Sequence, residues 1–357
     1  MPSTFILRRD GWKNHTNFSI EKFRFRDPKF IKKYRDLPWN EIVVQIICTG
    51  VLFFSLSGCA IQHLAVNSLA HALTEGSTSV YATDDDPELV GEALPFALKT
   101  IETLLQTTPR NKDLLISAAA GFVQYAHAFV LQPAQTMEFS NLAAARAGRE
   151  RAKRLFIRAR NYGLRALELS YPGISQALNT NPITAVAKTK IDDVPVLYWT
   201  GTAWGSAISV SKNDMMLVGD LPIVSALLER ALELNESWGD GAIHEFFIIF
   251  DAGRSTAQGG GLQQAEKHFE RAMELNYGQA IAPLVAFAES VCVQQQDRAR
   301  FKALLKQALA FDPNQFPQKR LANILAQRKA AQLLKNIDHL FFQDEKESVK
   351  AEPFTNN

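Results

Sequence analysis

Cys59 is the residue whose neighbours point most clearly to a covalent fate, because it closes the run Leu56, Ser57, Gly58, Cys59, which begins at the last of the uncharged residues 42–56. A thiol there can be alkylated by a diacylglycerol before a peptidase cuts ahead of it, and small residues on its N-terminal side let the backbone into such a site. Catalytic patterns are incomplete by comparison. His244 and Glu245 open a zinc-protease pattern, but the second histidine of HExxH falls on Ile248. The seven histidines are scattered, so no metal site is expected. No GxSxG elbow, no Walker lysine loop and no strand running into GxGxxG occurs. The glycines at 259–261 have no strand before them and Lys267 stands too far on, so they read as a turn between helices. The expectation is a protein without catalytic residues and without a cofactor.

The elements around Cys59 give its chemistry a setting. Residues 1–41 carry ten Lys/Arg against five Asp/Glu, which leaves 29 against 32 in the rest. The basic excess is therefore local, and nucleic acid is not an expected partner. A basic flank, an apolar run too short for the roughly 20 residues of a bilayer span, and small residues are the layout of a secretory signal. The tetrad ending at Cys59 resembles the lipobox of bacterial lipoproteins. Residues 1–58 thus read as an N-terminal extension and lipoprotein signal peptide. The long flank fits either an early start codon or an extension that stays in the cytoplasm. Buried acyl methylenes contribute about 0.8 kcal/mol each, so lipid at Cys59 would anchor the chain to a membrane. Ala60, where an Asp would mark inner-membrane retention, favours the outer membrane with the folded part in the periplasm. Of the other cysteines, Cys48 leaves with the signal and Cys292, between Val291 and Val293, reads as a small core hydrophobe, so no intramolecular disulfide can form.

Residues 59–343 read as helix after helix, an all-α class, and residues 344–357 as a charged disordered tail. Asp84, Asp85 and Asp86 before Pro87 predict a helix over 88–108, with 112–131 as its partner. A third long segment over 139–169 is expected to break at Gly148 or Gly163, and 170–191 to form a long connection. Further helices are expected after Asp193, at 222–234, 237–250, 262–275, 279–293, 298–311 and 317–341. Several share one spacing: Ala265, Phe269 and Ala272; Leu305, Ala308 and Pro313; Ala97, Ile101 and Pro109; and, more loosely, Leu228 and Ala231. That is the second-helix pattern of tetratricopeptide repeats, here irregular in period. A hairpin with two apolar faces must stack on neighbours, which predicts a TPR-like helical repeat solenoid with a concave binding surface.

Two sets of side chains stand out on these helices. Tyr198, Trp199 and Trp204, with Gly201 and Gly205 beside them, then Trp238, Phe246 and Phe247, are either core packing or the aromatic wall of an apolar ligand channel. The cations of 146–165 fall into two stripes, Arg146, Arg149, Lys153 and Arg160 on one and Arg151, Arg154, Arg158 and Arg165 on the other. They are either solvated rims or a docking surface for an acidic partner, with Arg146, Arg149, Lys153 and Arg160 as the preferred docking candidates.

Particular strings carry a family resemblance. Asp84-Asp85-Asp86-Pro87-Glu88-Leu89-Val90, Leu197-Tyr198-Trp199 with Trp204-Gly205, and Leu227-Leu228-Glu229-Arg230-Ala231-Leu232-Glu233-Leu234 running into Trp238-Gly239-Asp240-Gly241 resemble the TRAP transporter T-component (TatT) family. His268-Phe269-Glu270-Arg271-Ala272 fits as well. The resemblance implies a periplasmic lipoprotein of degenerate tetratricopeptide repeats and a homotrimer. Its implied partner is the substrate-binding P component, to which each protomer passes a small hydrophobic or carboxylate ligand through an apolar pore. An outer-membrane-anchored scaffold for envelope protein assembly is the alternative.

Overall fold

A computed structural model describes residues 77–342, and all regular structure in them is helical. Cys59, the signal segment and the tail after 343 lie outside the described residues. The first hairpin forms for the reasons its sequence gives. After the short α1 (Ser77–Ala82), the Asp86 carboxylate accepts the Leu89 N–H at 3.0 Å and Pro87 occupies the first turn, which starts α2 (Pro87–Thr107). Asn111 caps α3 (Lys112–Tyr125) in the same way. This helix runs on through a π-helical stretch (Ala126–Leu131) into α4 (Gln132–Thr136).

The third long segment does not break. α5 (Leu142–Ser170) is continuous for 29 residues, with Gly148 and Gly163 inside it. Both glycines are contact points: a Cβ on Gly148 would lie 2.5 Å from Ala134 Cβ, and one on Gly163 would overlap Thr200 Oγ1 and reach 3.2 Å from Thr200 Cα. Close packing against neighbouring helices, not a turn, explains these glycines. Helix propensity alone predicts that Gly163→Ala stabilises by about 1 kcal/mol, whereas overpacking costs about 1–3 kcal/mol. The contact wins because backbone and a buried hydroxyl stand in the way. Gly163→Ala is therefore expected to lower stability by about 1 kcal/mol in a urea melt; a more stable variant would show that the helices can move apart freely.

The connection expected over 170–191 is also folded, into α6 (Ile174–Thr180) and α7 (Pro182–Val186). The Asn181 side chain caps α7 through the Thr184 N–H and Pro182 opens that helix, while Pro172 sits in the turn before α6. Then come α8 (Val194–Ser209), α9 (Met215–Val218), α10 (Leu221–Leu234) and α11 (Ala242–Ala252). After them stand α12 (Leu262–Leu275) and α13 (Ala282–Phe287), which a second π-helical stretch (Ala288–Cys292) joins to α14 (Val293–Gln295). The last are α15 (Arg298–Ala310), α16 (Arg320–Lys335) and α17 (Ile337–Leu340). Of the small and large positions of the repeat pattern, Ala265, Phe269, Ala272, Leu305, Ala308, Leu228, Ala231 and Ile101 are buried and Ala97 is half-buried. The core forms two clusters that meet inside α11, where Phe247 belongs to the first and Ile248 to the second.

The array closes on itself. Arg328 of α16 pairs with Glu88 of α2, the Arg320 guanidinium donates to the Thr83 carbonyl at 2.9 Å, and Gln132 donates to the Leu325 carbonyl at 3.1 Å. Phe139 stacks on His339 with ring centres 4.3 Å apart. The last long helix thus returns to the first hairpin.

Candidate functional site

α8 carries the most informative side chains. Gly201 and Gly205 let neighbours approach closely, since a Cβ would lie 2.6 Å from Leu228 Cγ at the first and 2.7 Å from Phe246 Cζ at the second. Tyr198 and Trp199, one turn earlier, meet Trp238, whose ring centre is 4.6 Å from Tyr198 and 6.3 Å from Trp199. Trp238 reaches back because Gly239, Asp240 and Gly241 have φ of 62°, 58° and 90°, three left-handed residues in a row. A Lys319–Asp240 ion pair at 2.6 Å ties this turn to the segment before α16.

Ionisable groups share this interior. Glu245, on α11 before Phe246, is half-buried, and desolvation pushes its carboxyl up to about 7 against the smaller pull of Lys319. Burial also raises the Tyr198 phenol, with the Glu245 charge adding to it. Desolvation lowers the imidazole of His127, in the first π-helical stretch, to about 4, with the Lys329 charge adding to the effect. Its Nε2 lies 2.8 Å from Ser206 Oγ of α8, and its ring is 4.7 Å from that of Phe156. Lys329 of α16 pairs with Glu289 at 2.7 Å and donates to Gln135 at 2.7 Å.

The predicted aromatic residues divide. Tyr198, Trp199 and Trp238 come together, and Phe246 covers Gly205 while packing on Phe250 with ring centres 5.3 Å apart. Phe247 is buried and stacks on His268 at 4.8 Å, beside a contact of 2.8 Å between the Nδ1 atoms of His244 and His268. Trp204 stands apart in the core, its Nε1 donating to Asp220 at 3.0 Å beneath the Arg160 guanidinium. His127, Glu245 and Lys329 were not expected from the pattern. The available signal was an ionisable residue inside an apolar helix, as in Ala126-His127-Ala128-Phe129 and Glu245-Phe246-Phe247-Ile248. Among the described residues, no three His, Cys, Asp or Glu are placed to hold a metal ion.

The two cationic stripes of α5 also differ. Arg149 pairs with Glu138, Lys153 with Asp214 at 3.0 Å, and Arg160 is partly buried over Trp204; Arg146 alone of that stripe is exposed. Arg151, Arg154, Arg158 and Arg165 of the other stripe are all exposed. Arg165 borders an open cavity of about 600 Å³, and Arg154, Arg158 and Arg165 border a second of about 350 Å³; Tyr162 lines both, and Arg151 lies outside them.

Helical hairpins packed around an aromatic and ionisable interior, with a long cationic helix among them, define an all-helical scaffold. The TRAP transporter T-component family model matches residues 83–341, nearly all of the described chain, and the protein belongs to this family. A relative from Treponema pallidum (strain Nichols), described as an uncharacterized protein, is 30% identical over 303 residues, 80% of this chain and 94% of the relative.

Proposed function

We propose that the protein is the non-enzymatic accessory subunit of a TRAP importer, anchored through lipid at Cys59 in the periplasm, on the outer membrane. It docks the substrate-binding P component and passes a small hydrophobic or carboxylate ligand through its interior. Family membership supports the assignment to a transporter. The observation that supports the finer reading is the cluster of Tyr198, Trp199 and Trp238 beside the desolvated Glu245, within helices that close through Arg328 and Glu88. Tyr198, Trp199 and Trp238 offer an apolar wall to such a ligand, and Glu245 and Lys329 offer polar contacts. The subunits assemble as homotrimers in this reading.

Mild crosslinking in cells, followed by purification from membranes, is expected to recover a periplasmic substrate-binding protein with this chain. Native mass spectrometry of the same preparation is expected to give a threefold assembly with ligand retained. Repeated recovery of the chain without a binding protein would count decisively against the docking role.

A further inference from the structure

α5 presents its exposed arginines in a regular line. Arg151, Arg158 and Arg165 are seven residues apart, so in a helix rising 1.5 Å per residue they stand about 10 Å apart along some 21 Å. Each guanidinium rests on an aromatic ring: Arg151 over Tyr125 at 5.7 Å, Arg158 over Phe122 at 5.3 Å and Arg165 over Tyr162 at 5.4 Å. Phe122 and Tyr162 are themselves stacked, 8° from parallel. Arg151 also donates to the Tyr125 hydroxyl at 3.1 Å, and Arg165 to the Pro109 carbonyl at 3.3 Å. The rings and these contacts, with Arg158 also 3.6 Å from Glu102, hold the cations in place while each remains exposed, which lowers the ordering cost of binding. Arg154 adds a fourth cation at the 350 Å³ cavity. Glu102, the carboxylate in the larger cavity, is already engaged by Lys99, the Tyr162 hydroxyl and Arg158.

We propose that Arg151, Arg154, Arg158 and Arg165 form a docking rail for a helix of a partner protein that carries Asp or Glu at every second turn. The proposal rests on the reading that this subunit docks a substrate-binding protein, and it names the surface and the chemistry of the match. Guanidinium forks suit carboxylates through paired hydrogen bonds, and the spacing of the rail is that of i, i+7 residues on a helix. The flanking cavities give room for the partner's side chains on either side of Tyr162. A membrane surface fits less well. Of the neighbouring stripe, Arg149, Lys153 and Arg160 are engaged by Glu138, Asp214 and the Trp204 ring and Arg146 alone is exposed, so the exposed cations of α5 form mainly a line, not a plane.

The test uses the full chain purified from membranes and its variant R151Q/R158Q/R165Q, with K302Q/K306Q/K335Q as a charge-matched control on exposed lysines elsewhere. Thermal unfolding of each establishes that the fold is kept. Two probes are titrated: the substrate-binding protein, and a helical peptide with Glu at three heptad positions, compared with its Gln version. The rail variant is expected to weaken both by about 30-fold and the lysine control by under 3-fold, since exposed ion pairs are individually modest and add along a row. Equal binding by wild type and rail variant overturns the rail and leaves the docking role standing. If the wild type fails to bind the substrate-binding protein, the docking role falls, and the peptide alone decides the rail. Binding of glycerophosphoglycerol, a soluble lipid headgroup, without discrimination between Glu and Gln peptides also overturns it. If the variant unfolds, R151K/R158K/R165K replaces it, with a loss of at least 5-fold expected for the peptide and no loss overturning the proposal.

Discussion

Asp193→Ala is expected to destabilise the protein by about 3 kcal/mol, the lower end of what breaking a buried ion pair costs. Asp193 is 4% exposed and joins three parts of the chain: it accepts from Lys112 Nζ of α3 at 2.8 Å, from the Tyr171 hydroxyl after α5, and from the Lys190 N–H before α8 at 3.0 Å. Removing the carboxylate strands the Tyr171 hydroxyl and a lysine that is only a third exposed, which keeps the cost below that of a fully enclosed pair. In a domain of this size the loss corresponds to a fall in Tm of about 6–10 °C. Asp193→Asn keeps the acceptor and is expected to recover part of the loss.

The pH dependence has a definite sign. Burial alone would raise the Asp193 pKa, but the bonds from Lys112, Tyr171 and the Lys190 N–H outweigh it and hold the group below its ordinary value. A depressed acid stabilises fully above its unfolded pKa, about 3.9, and that stabilisation is lost as pH falls through the folded value. Wild type and Asp193→Ala should therefore differ fully at pH 7 and converge in strong acid. Urea melts at the two pH values check this, and a gap that persists in acid would assign the loss to packing and not to charge.

Much of the helical order is legible because its signals are local. Asp86 with Pro87, Asn111, Asp297 and the apolar spacing of α12 each fix an element through neighbours within a turn or two. The misread places depend on distant partners. Gly163 reads as a breaker until Thr200 is known to lie against it, and Pro182 reads as a loop residue until the Asn181 side chain is seen to cap α7. Closure of the array has no local signal, for Arg328 and Glu88 are ordinary surface charges 240 residues apart. The candidate site divides along the same line. Aromatic richness marks Tyr198, Trp199 and Trp238, but which side of α8 faces the interior and which the core separates Tyr198 from Trp204, and that depends on α5 and α10 packing around it.

Glu245→Gln is expected to stabilise the protein at pH 8 by about 2 kcal/mol and to lose that advantage as the pH falls toward 4.5. Desolvation raises the folded-state pKa of Glu245 from 4.5 to about 7. A raised carboxyl pKa means that the folded chain binds the extra proton, so the group's stabilisation is complete below 4.5 and is lost as pH rises through 7. At 1.36 kcal/mol per unit the full shift would exceed 3 kcal/mol, and partial contact with water reduces it. His127 and His268, both lowered to about 4 chiefly by burial, act in the opposite sense. Their depressed values favour the folded state above 6.5 and are lost as pH falls through 4. The wild-type profile thus mixes opposing slopes, and the difference between wild type and Glu245→Gln isolates one of them. Denaturant melts from pH 4.5 to pH 8 measure that difference directly. A flat difference would mean that Glu245 sees bulk water. The interior beside Tyr198 would then be too wet to desolvate a carboxylate.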